Sequence, residues 1–285
     1  MYKESIELDY TPKLDEPLFI AGFDGWGNAL DISLGMVDYL IRKLGAKPFG
    51  KINPDRFYRF DDKRPQVDIE GGLLKSIDPP GGLFYTASGK FIGRDIIILK
   101  AAEPNLRWFH FIDTILTLCQ ETGVKTIISL GSMYDNVLHT DTIVSALASS
   151  KELLEKVKEK KVLSVSYKGP GAIHSTINYE AQKRGFECLN LWAHCPYYLQ
   201  GTTHFGLLSH LGSLLSECGG FNLETEELSV TWKELSKQIQ GIIDKNPELQ
   251  GMIKDLRKAQ VRGPCNTQKK QNKIIKLEDF LKPKQ

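Results

Sequence analysis

The run from Thr126 to Thr142 constrains this chain most. Thr126–Leu130 is apolar and β-favouring, and it feeds directly into Gly131 and Ser132. A polar stretch holding Asp135, Asn136, His139, Thr140 and Asp141 follows. A buried strand that ends in glycine and opens into polar residues is how α/β proteins build sites at the carboxyl edge of a sheet. The same change from apolar run to polar loop recurs at Phe23, Ala102, Tyr167 and Ala193. Any site is therefore expected on the loops that follow these strands.

The rest of the chain reads in the same rhythm. Leu18–Gly22 is a first strand, and 29–44 a helix with Leu30, Leu34, Val37, Leu40, Ile41 and Leu44 on one face and Gly45 at its end. Residues 46–88 are rich in Gly and Pro with short alternating pieces such as Gln66–Glu70, and are expected to form inserted antiparallel strands or hairpins. From Asp95 onward, strands at Ile96–Leu99, Thr126–Leu130, Ile143–Ala148, Val162–Tyr167 and Phe186–Ala193 alternate with helices at Leu106–Glu121, Lys151–Lys160, Gly171–Arg184 and Thr202–Cys218. Such alternation predicts an α/β fold with a mainly parallel central sheet flanked by helices. After Asn222, Leu228, Trp232, Leu235, Ile239 and Ile242 make one helical stripe and Leu249, Met252, Ile253 and Leu256 a second, with Asn246-Pro247 between them. The expected organisation is an α/β domain over 1–222, a C-terminal helical hairpin over 223–258, and a basic, disordered tail over 259–285 with a short amphipathic piece at Ile274–Leu281.

Composition excludes several classes. At 285 residues and a formal net charge of +2, the chain can bury a large core and is no general polyanion binder, so no nucleic-acid partner is expected. No window approaches the roughly 18 consecutive apolar residues of a membrane span, and the first ten residues lack the apolar core of a signal peptide. A soluble cytoplasmic protein with no membrane partner is the expectation. The five cysteines, Cys119, Cys188, Cys195, Cys218 and Cys265, are odd in number and lack CxxC spacing, which argues against a disulfide framework and a zinc knuckle. His204 and His210 are six apart and fall on different helical faces, so no metal site is expected.

Several loops carry residues of chemical interest. Gly25-Trp26-Gly27 follows a strand and precedes a helix, as in a dinucleotide fingerprint, but Leu30 stands where the third glycine belongs and Asp24 would repel a pyrophosphate. No cofactor is expected there. The plain reading is a turn with Asn28 as N-cap and Asp31 in the first helical turn, and Trp26 as a cover for a pocket or interface. His139 is the best-placed titratable residue, with Asp135 or Asp141 to orient it, or else a loop-fixing histidine bonded to backbone. Gly169 and Gly171 flank Pro170 before a helix, which makes either an anion-binding nest or an ordinary turn. His194, Tyr197 and Tyr198 line a pocket or pack as aromatics. The expected pocket thus gathers Asp24, Trp26, Asn28, Glu103, Gly131, Ser132, His139, Gly169, Gly171, His194, Tyr197 and Tyr198, with no residue assigned as catalytic. Ser132 lacks a GxSxG context, and the candidate loops offer only Arg107 to hold a phosphate.

Taken together, FDGWGNALDISLGMVDYL, LGSMYDNVLHTDT, YKGPGAI and WAHCPYYL resemble the proteasome assembly chaperone two family, its archaeal and bacterial branch included. The resemblance covers about residues 16 to 258. It implies a phosphorylase-like α/β sheet, homo-oligomers with trimers favoured, and protein partners, proteasome subunits among them. Lys282-Pro283-Lys284-Gln285 differs from the hydrophobic-Tyr-x ending with which some members dock into the 20S core. The resulting expectation is a non-enzymatic assembly-chaperone-like or scaffold protein. The alternative is a small-ligand binder or enzyme using a phosphorylase-like pocket at the sheet edge. Convergence of Asp24, Glu103, His139 and His194 would favour the enzyme.

Overall fold

The computed structural model describes residues 4–261, with side chains through 258. The expected basic tail, its amphipathic piece and Cys265 lie outside the described residues. The elements run in the order β1 (Ile6–Leu8), β2 (Leu18–Asp24), α1 (Ile32–Lys43), β3 (Lys47–Ile52), β4 (Gln66–Glu70), β5 (Leu73–Asp78), β6 (Gly82–Ala87), β7 (Ile96–Ala102), α2 (Trp108–Glu121), β8 (Thr126–Asp135), β9 (Val144–Ala148), α3 (Lys151–Lys158), β10 (Leu163–Ser164), α4 (Ile173–Lys183), β11 (Glu187–Pro196), α5 (Phe205–Gly219), α6 (Glu226–Lys245) and α7 (Pro247–Val261).

Nine strands form one sheet in the order β1-β3-β6-β7-β2-β8-β11-β9-β10. The α/β class holds, but a mainly parallel sheet is only partly borne out. The central block β7-β2-β8-β11 is parallel, in registers such as Leu18↔Ile96, Leu18↔Thr126 and Glu187↔Thr126. The inserted segment adds β6, β3 and β1 to one side, each antiparallel to its neighbour. On the other side β9 runs antiparallel to β11. The chain turns from β8 to β9 with no helix between them, and a parallel return needs a crossover of about a dozen residues or more. The strand expected over Val162–Tyr167 shrinks to Leu163–Ser164, which pairs only with β9 at the sheet edge.

Side chains of the central strands alternate between two cores, as a sheet covered on both faces requires. Leu18, Ile20, Ile96, Ile98, Ile128, Leu130, Leu189 and Leu191 point to one face, where α1, α5 and the α6–α7 hairpin supply Met36, Leu40, Leu211, Ile239 and Ile253. Phe19, Ala21, Phe23, Ile97, Leu99, Ile127 and Cys188 point to the other, under Phe111, Ile115 and Leu118 of α2 and Ile173 and Ile177 of α4. A buried polar tie crosses the second core. Ser129 Oγ donates to Asn190 Oδ1 at 2.7 Å, and Asn190 Nδ2 donates to the His174 carbonyl at 3.0 Å, which fixes α4 on the strands.

Gly131 has a packing reason rather than a turn. It lies inside β8, which runs on to Asp135, opposite Trp192 of β11. A Cβ there would come within 2.8–2.9 Å of the indole ring of Trp192. The strand can be this long because the indole fills the place of the missing side chain. Gly131→Ala is expected to cost about 1–3 kcal/mol, the usual range for overpacking a full site. Adding Trp192→Leu should return part of that loss, measured as urea midpoints over the double-mutant cycle. Strictly additive losses would contradict the contact.

Candidate functional site

The loop after β2 is stitched to the sheet by short polar side chains. Ser132 N–H donates to the Gly27 carbonyl at 2.8 Å, and Ser132 Oγ to the Ala29 carbonyl at 2.8 Å. Asn28 Oδ1 accepts from the N–H groups of Ser33 and Leu34 at 3.0 and 3.3 Å, so Asn28 satisfies the first amides of α1 from upstream, while Asp31, expected in the first helical turn, holds the N-cap position itself. Between them Leu30 and Asp31 adopt left-handed backbone, with φ of 52° and 55°. Non-glycine residues hold that conformation at a cost of about 1–3 kcal/mol, and only where their surroundings fix them.

Glu103 is the hub of this edge. It follows β7, and its carboxylate accepts from Trp26 N–H at 3.2 Å and from Ile173 N–H at 2.8 Å. The amide at the start of α4 is thus engaged by a carboxylate of the chain itself. The expected Gly169–Gly171 nest has this internal anion at its helix end. The turn also closes on itself, since Tyr167 Oη donates to the Pro170 carbonyl at 3.0 Å. Asp24 is held in an ion pair with Lys63.

Behind that edge sits a histidine absent from the expected pocket. His174 is fully buried, beside Phe23 and Trp192 and under Gly27, where a Cβ would lie 2.9 Å from its Cε1. Its Nε2–H donates to the Leu130 carbonyl at 2.7 Å, leaving Nδ1 a buried acceptor with no partner among the described residues. Burial pushes its pKa down to about 4, so the ring is neutral near pH 7. Sequence hinted at it through its place one residue after Ile173, where a helix starts below a glycine-rich loop.

His139 belongs to the opposite face. The Tyr198 hydroxyl accepts from His139 N–H at 2.6 Å and lies 2.9 Å from Nδ1. His139 is buried, and desolvation, the largest influence, holds its pKa below the ordinary histidine value against the opposing pull of Asp141. His204 caps α5 by accepting from Leu207 N–H at 3.1 Å, and Trp232 of α6 stacks on its ring at 3.9 Å. Burial brings its pKa down to about 3. Tyr197 packs edge-on against Tyr198.

One arrangement has the order of an acid–base relay, and it was not foreseen from the sequence. His194 Nδ1 lies 2.7 Å from Asp135 Oδ2, and its Nε2 lies 2.9 Å from Ser145 Oγ. The three residues come from the adjacent strands β8, β11 and β9, and that placement was invisible without the strand order. The hydrogen bond from His194 is the main cause that holds the Asp135 carboxyl below its usual value. The burial order is the reverse of a hydrolase. Ser145 is 1 % exposed while the Asp135 side chain is 44 % exposed, so the hydroxyl faces the interior and the carboxylate faces water.

The structure therefore brings Asp24, Trp26, Asn28, Glu103, Gly131 and Ser132 to one edge, and places His139 with Tyr198 on the other face. The side chains of Asp24, Glu103, His139 and His194 each bond a different partner, and the one hydrogen bond between any two of these residues among the described residues is backbone, from Glu103 N–H to the Asp24 carbonyl at 2.7 Å. Concavities of about 160 Å³, lined by Lys160, His210 and Glu217, and about 380 Å³, lined by Asp15, Arg94 and Asp95, lie elsewhere. The second opens at the amino ends of β2 and β7, away from these loops. Among the described residues no group of three or more His, Cys, Asp or Glu side chains is placed to hold a metal ion. No described helix is long and apolar enough to cross a membrane. Burial raises the Cys195 thiol to about 12, so it is inert at neutral pH.

Two expectations follow. His174 has a folded pKa depressed from 6.5 to about 4, so its contribution to stability is complete above pH 6.5 and is lost as pH falls toward 4. The loss amounts to about 3 kcal/mol for this fully buried group. His174→Gln keeps a donor for Leu130, and its urea midpoint should fall less steeply between pH 6.5 and 4 than that of the parent chain. An unchanged slope would count against the neutral buried ring. Secondly, a fluorophosphonate probe should leave Ser145 unlabelled in the folded protein, as read by mass spectrometry, and labelling there would make the relay a working nucleophile.

Comparison with known proteins places this architecture. A Mycobacterium tuberculosis protein of unknown function matches with a TM-score of 0.80 at 20 % identity, over 90 % of this chain and 89 % of that one. A proteasome-assembly chaperone homologue of the same organism matches with a TM-score of 0.74 at 21 % identity, over 83 % of this chain and 99 % of the other. PbaB, an archaeal proteasome activator of Pyrococcus furiosus, matches with a TM-score of 0.64 at 18 % identity, over 84 % and 98 %. At such identities these likenesses establish the fold. Comparison with curated proteins gives no match. The sequence profile of the PAC2 family matches residues 19–243, and the chain belongs to that family.

Proposed function

We propose that this chain is an assembly-chaperone-like scaffold that binds other proteins, working in the cytoplasm as a homo-oligomer, with a trimer as the favoured state. The observation that carries the reading is where its apolar surface lies. Trp26 is 65 % exposed and Phe109 68 % exposed, both beside the Glu103 hub, while the groups suited to acid–base work hold backbone or one another. Large exposed aromatics on one edge suit protein contact. Trp108 and Phe111 share the helix start with Phe109, but Phe111 is buried in the core and Trp108 donates to the Pro104 carbonyl, so Phe109 alone of the three is offered outward.

Family membership supports the chaperone-like class, and proteasome subunits are the partner class that the names of its relatives suggest. In this reading residues 1–222 form the α/β body and 223–258 a helical module fastened to it by Trp232 on His204. The competing reading, an enzyme at the sheet edge, has the Asp135–His194–Ser145 relay in its favour and the burial of Ser145 against it.

Native mass spectrometry of the purified chain mixed with unassembled 20S α- and β-type subunits tests the proposal. The expected result is a complex with free subunits that is absent with the finished 20S particle. Subunits that assemble at an unaltered rate with no bound chain would refute it.

A further inference from the structure

The hairpin of β4 and β5 stands apart from both cores. Its two strands pair only with each other, and every residue of both is exposed. In register, Val67 lies opposite Ile77 and Ile69 opposite Leu74. These four side chains share one face and are 55–60 % exposed. An isolated two-stranded hairpin is marginal in water, and an apolar face on it calls for a cover.

A matching surface lies at the foot of the hairpin. Lys63, just before β4, is paired with Asp24, which roots the hairpin beside the Glu103 hub. Phe60, Leu106, Phe109 and Trp26 are all exposed around that hub. The N–H groups of Asn105 and Leu106 both bond the Phe57 carbonyl at 3.0 Å, which holds this patch against the root. The charges are complementary as well. The hairpin bears Asp68 and Asp78, while Arg107 adjoins Leu106 in the patch and Lys168 lies in the turn before α4, whose first amide bonds Glu103. None of the four makes an ion pair among the described residues. Within one chain the hairpin and the patch both remain uncovered.

We propose that the hairpin is an exchange arm: Val67, Ile69, Leu74 and Ile77 of one copy seat on the Trp26, Leu106 and Phe109 patch of a second copy of this chain. The contact is heterologous, arm into patch, so successive copies pass the arm on and a ring closes where the rotation allows it. Asp68 and Asp78 steer the arm toward Arg107 and Lys168 and keep two arms from pairing with each other. This rests on the scaffold reading only in supplying the oligomer that reading uses, and it is tested without any proteasome subunit.

The test is a complementation experiment read by light scattering at micromolar concentration. The parent chain is expected to run as a closed oligomer. An arm variant, Ile69→Asp with Leu74→Asp, and a patch variant, Trp26→Ser with Phe109→Ser, should each run as a monomer with an unchanged circular dichroism spectrum. Mixed in equal amounts, they should give a species of twice the monomer mass and nothing larger, because each pair retains one intact arm and one intact patch. As a readout on the unaltered chain, cross-linking of isotope-mixed protein should join Lys75 of one copy to Lys168 of another. A monomeric parent overturns the proposal. So does an arm variant that loses self-association while the patch variant keeps it, the pattern of a symmetric arm-to-arm contact. Arm and patch variants that keep the parent mass also overturn it, and would leave the arm to a foreign protein. Should a variant misfold, the cross-link decides, and its absence between copies overturns the proposal.

Discussion

The carbonyl of Leu130 is the joint on which this architecture turns. It is the last residue of β8 that pairs with β2, opposite Gly22, and beyond it β2 parts from β8 while staying paired with β7 as far as Asp24. A buried carbonyl abandoned by its strand partner needs donors from elsewhere. Two arrive, one from each face of the sheet. Ser33 of α1 donates from one side at 2.6 Å, and His174 of α4 from the other at 2.7 Å. Ser33 Oγ also accepts Phe23 N–H at 3.1 Å, one residue past the last β2–β8 pair. One acceptor thereby locks a helix to each face at the point where the strands diverge, and the loop from Gly25 to Asn28 folds over the joint.

That arrangement explains why, among the described residues, no convergent set of titratable side chains forms at this edge. Each polar residue there already answers a structural demand. Glu103 satisfies the amides of Trp26 and Ile173, Ser132 bonds the carbonyl of Ala29, and Asn28 satisfies the first amides of α1. Alternation along the strands divides the rest. Ala193 and Cys195 of β11 face the α5 side, so His194 between them faces the α4 side and meets Asp135 and Ser145 there. His139 and Tyr198 fall on the α5 side beneath the helical hairpin. A single pocket holding both histidines would need a sheet with one face open, and this sheet is covered on both.

Much of this was legible in the sequence because it depends on period and punctuation. The alternation of apolar runs with helices stopped by glycine or by Asn246-Pro247 located the central strands and the long helices to within a few residues, except β8, which runs five residues past its expected end. The Gly- and Pro-rich stretch 46–88 was recognisable as antiparallel insertion. Three things were not legible, and each depends on strand order rather than on local pattern. The direction of β9 follows from a connection too short for a crossover. Gly131 reads as the end of a strand until Trp192 is known to lie opposite it. Ser145, within a short apolar run and ten residues from Asp135, gives no sign that β11 will come between their strands and offer His194 to both.

The placement of apolar surface completes the physical account. A chain that buries both faces of a nine-stranded sheet has little reason to leave Val67, Ile69, Leu74 and Ile77 in water, since covering what remains exposed of each would stabilise the fold by about 1–2 kcal/mol. Val67 and Ile69 alternate with polar residues along β4, and the register, with its bulge between Asp68 and Ile69, sets Ile77 and Leu74 opposite them, so the hairpin has the pattern of a half-buried sheet without the layer that would bury it. Conformational cost makes a loose hairpin unfavourable as a mere linker between β3 and β6, which a few residues would join. Cover from a second molecule resolves the imbalance. The ion pair of Lys63 with Asp24 sets the root of the arm beside the one edge where Trp26 and Phe109 are exposed, so the surface that needs a partner and the surface that can serve as one are held at fixed geometry on the same chain.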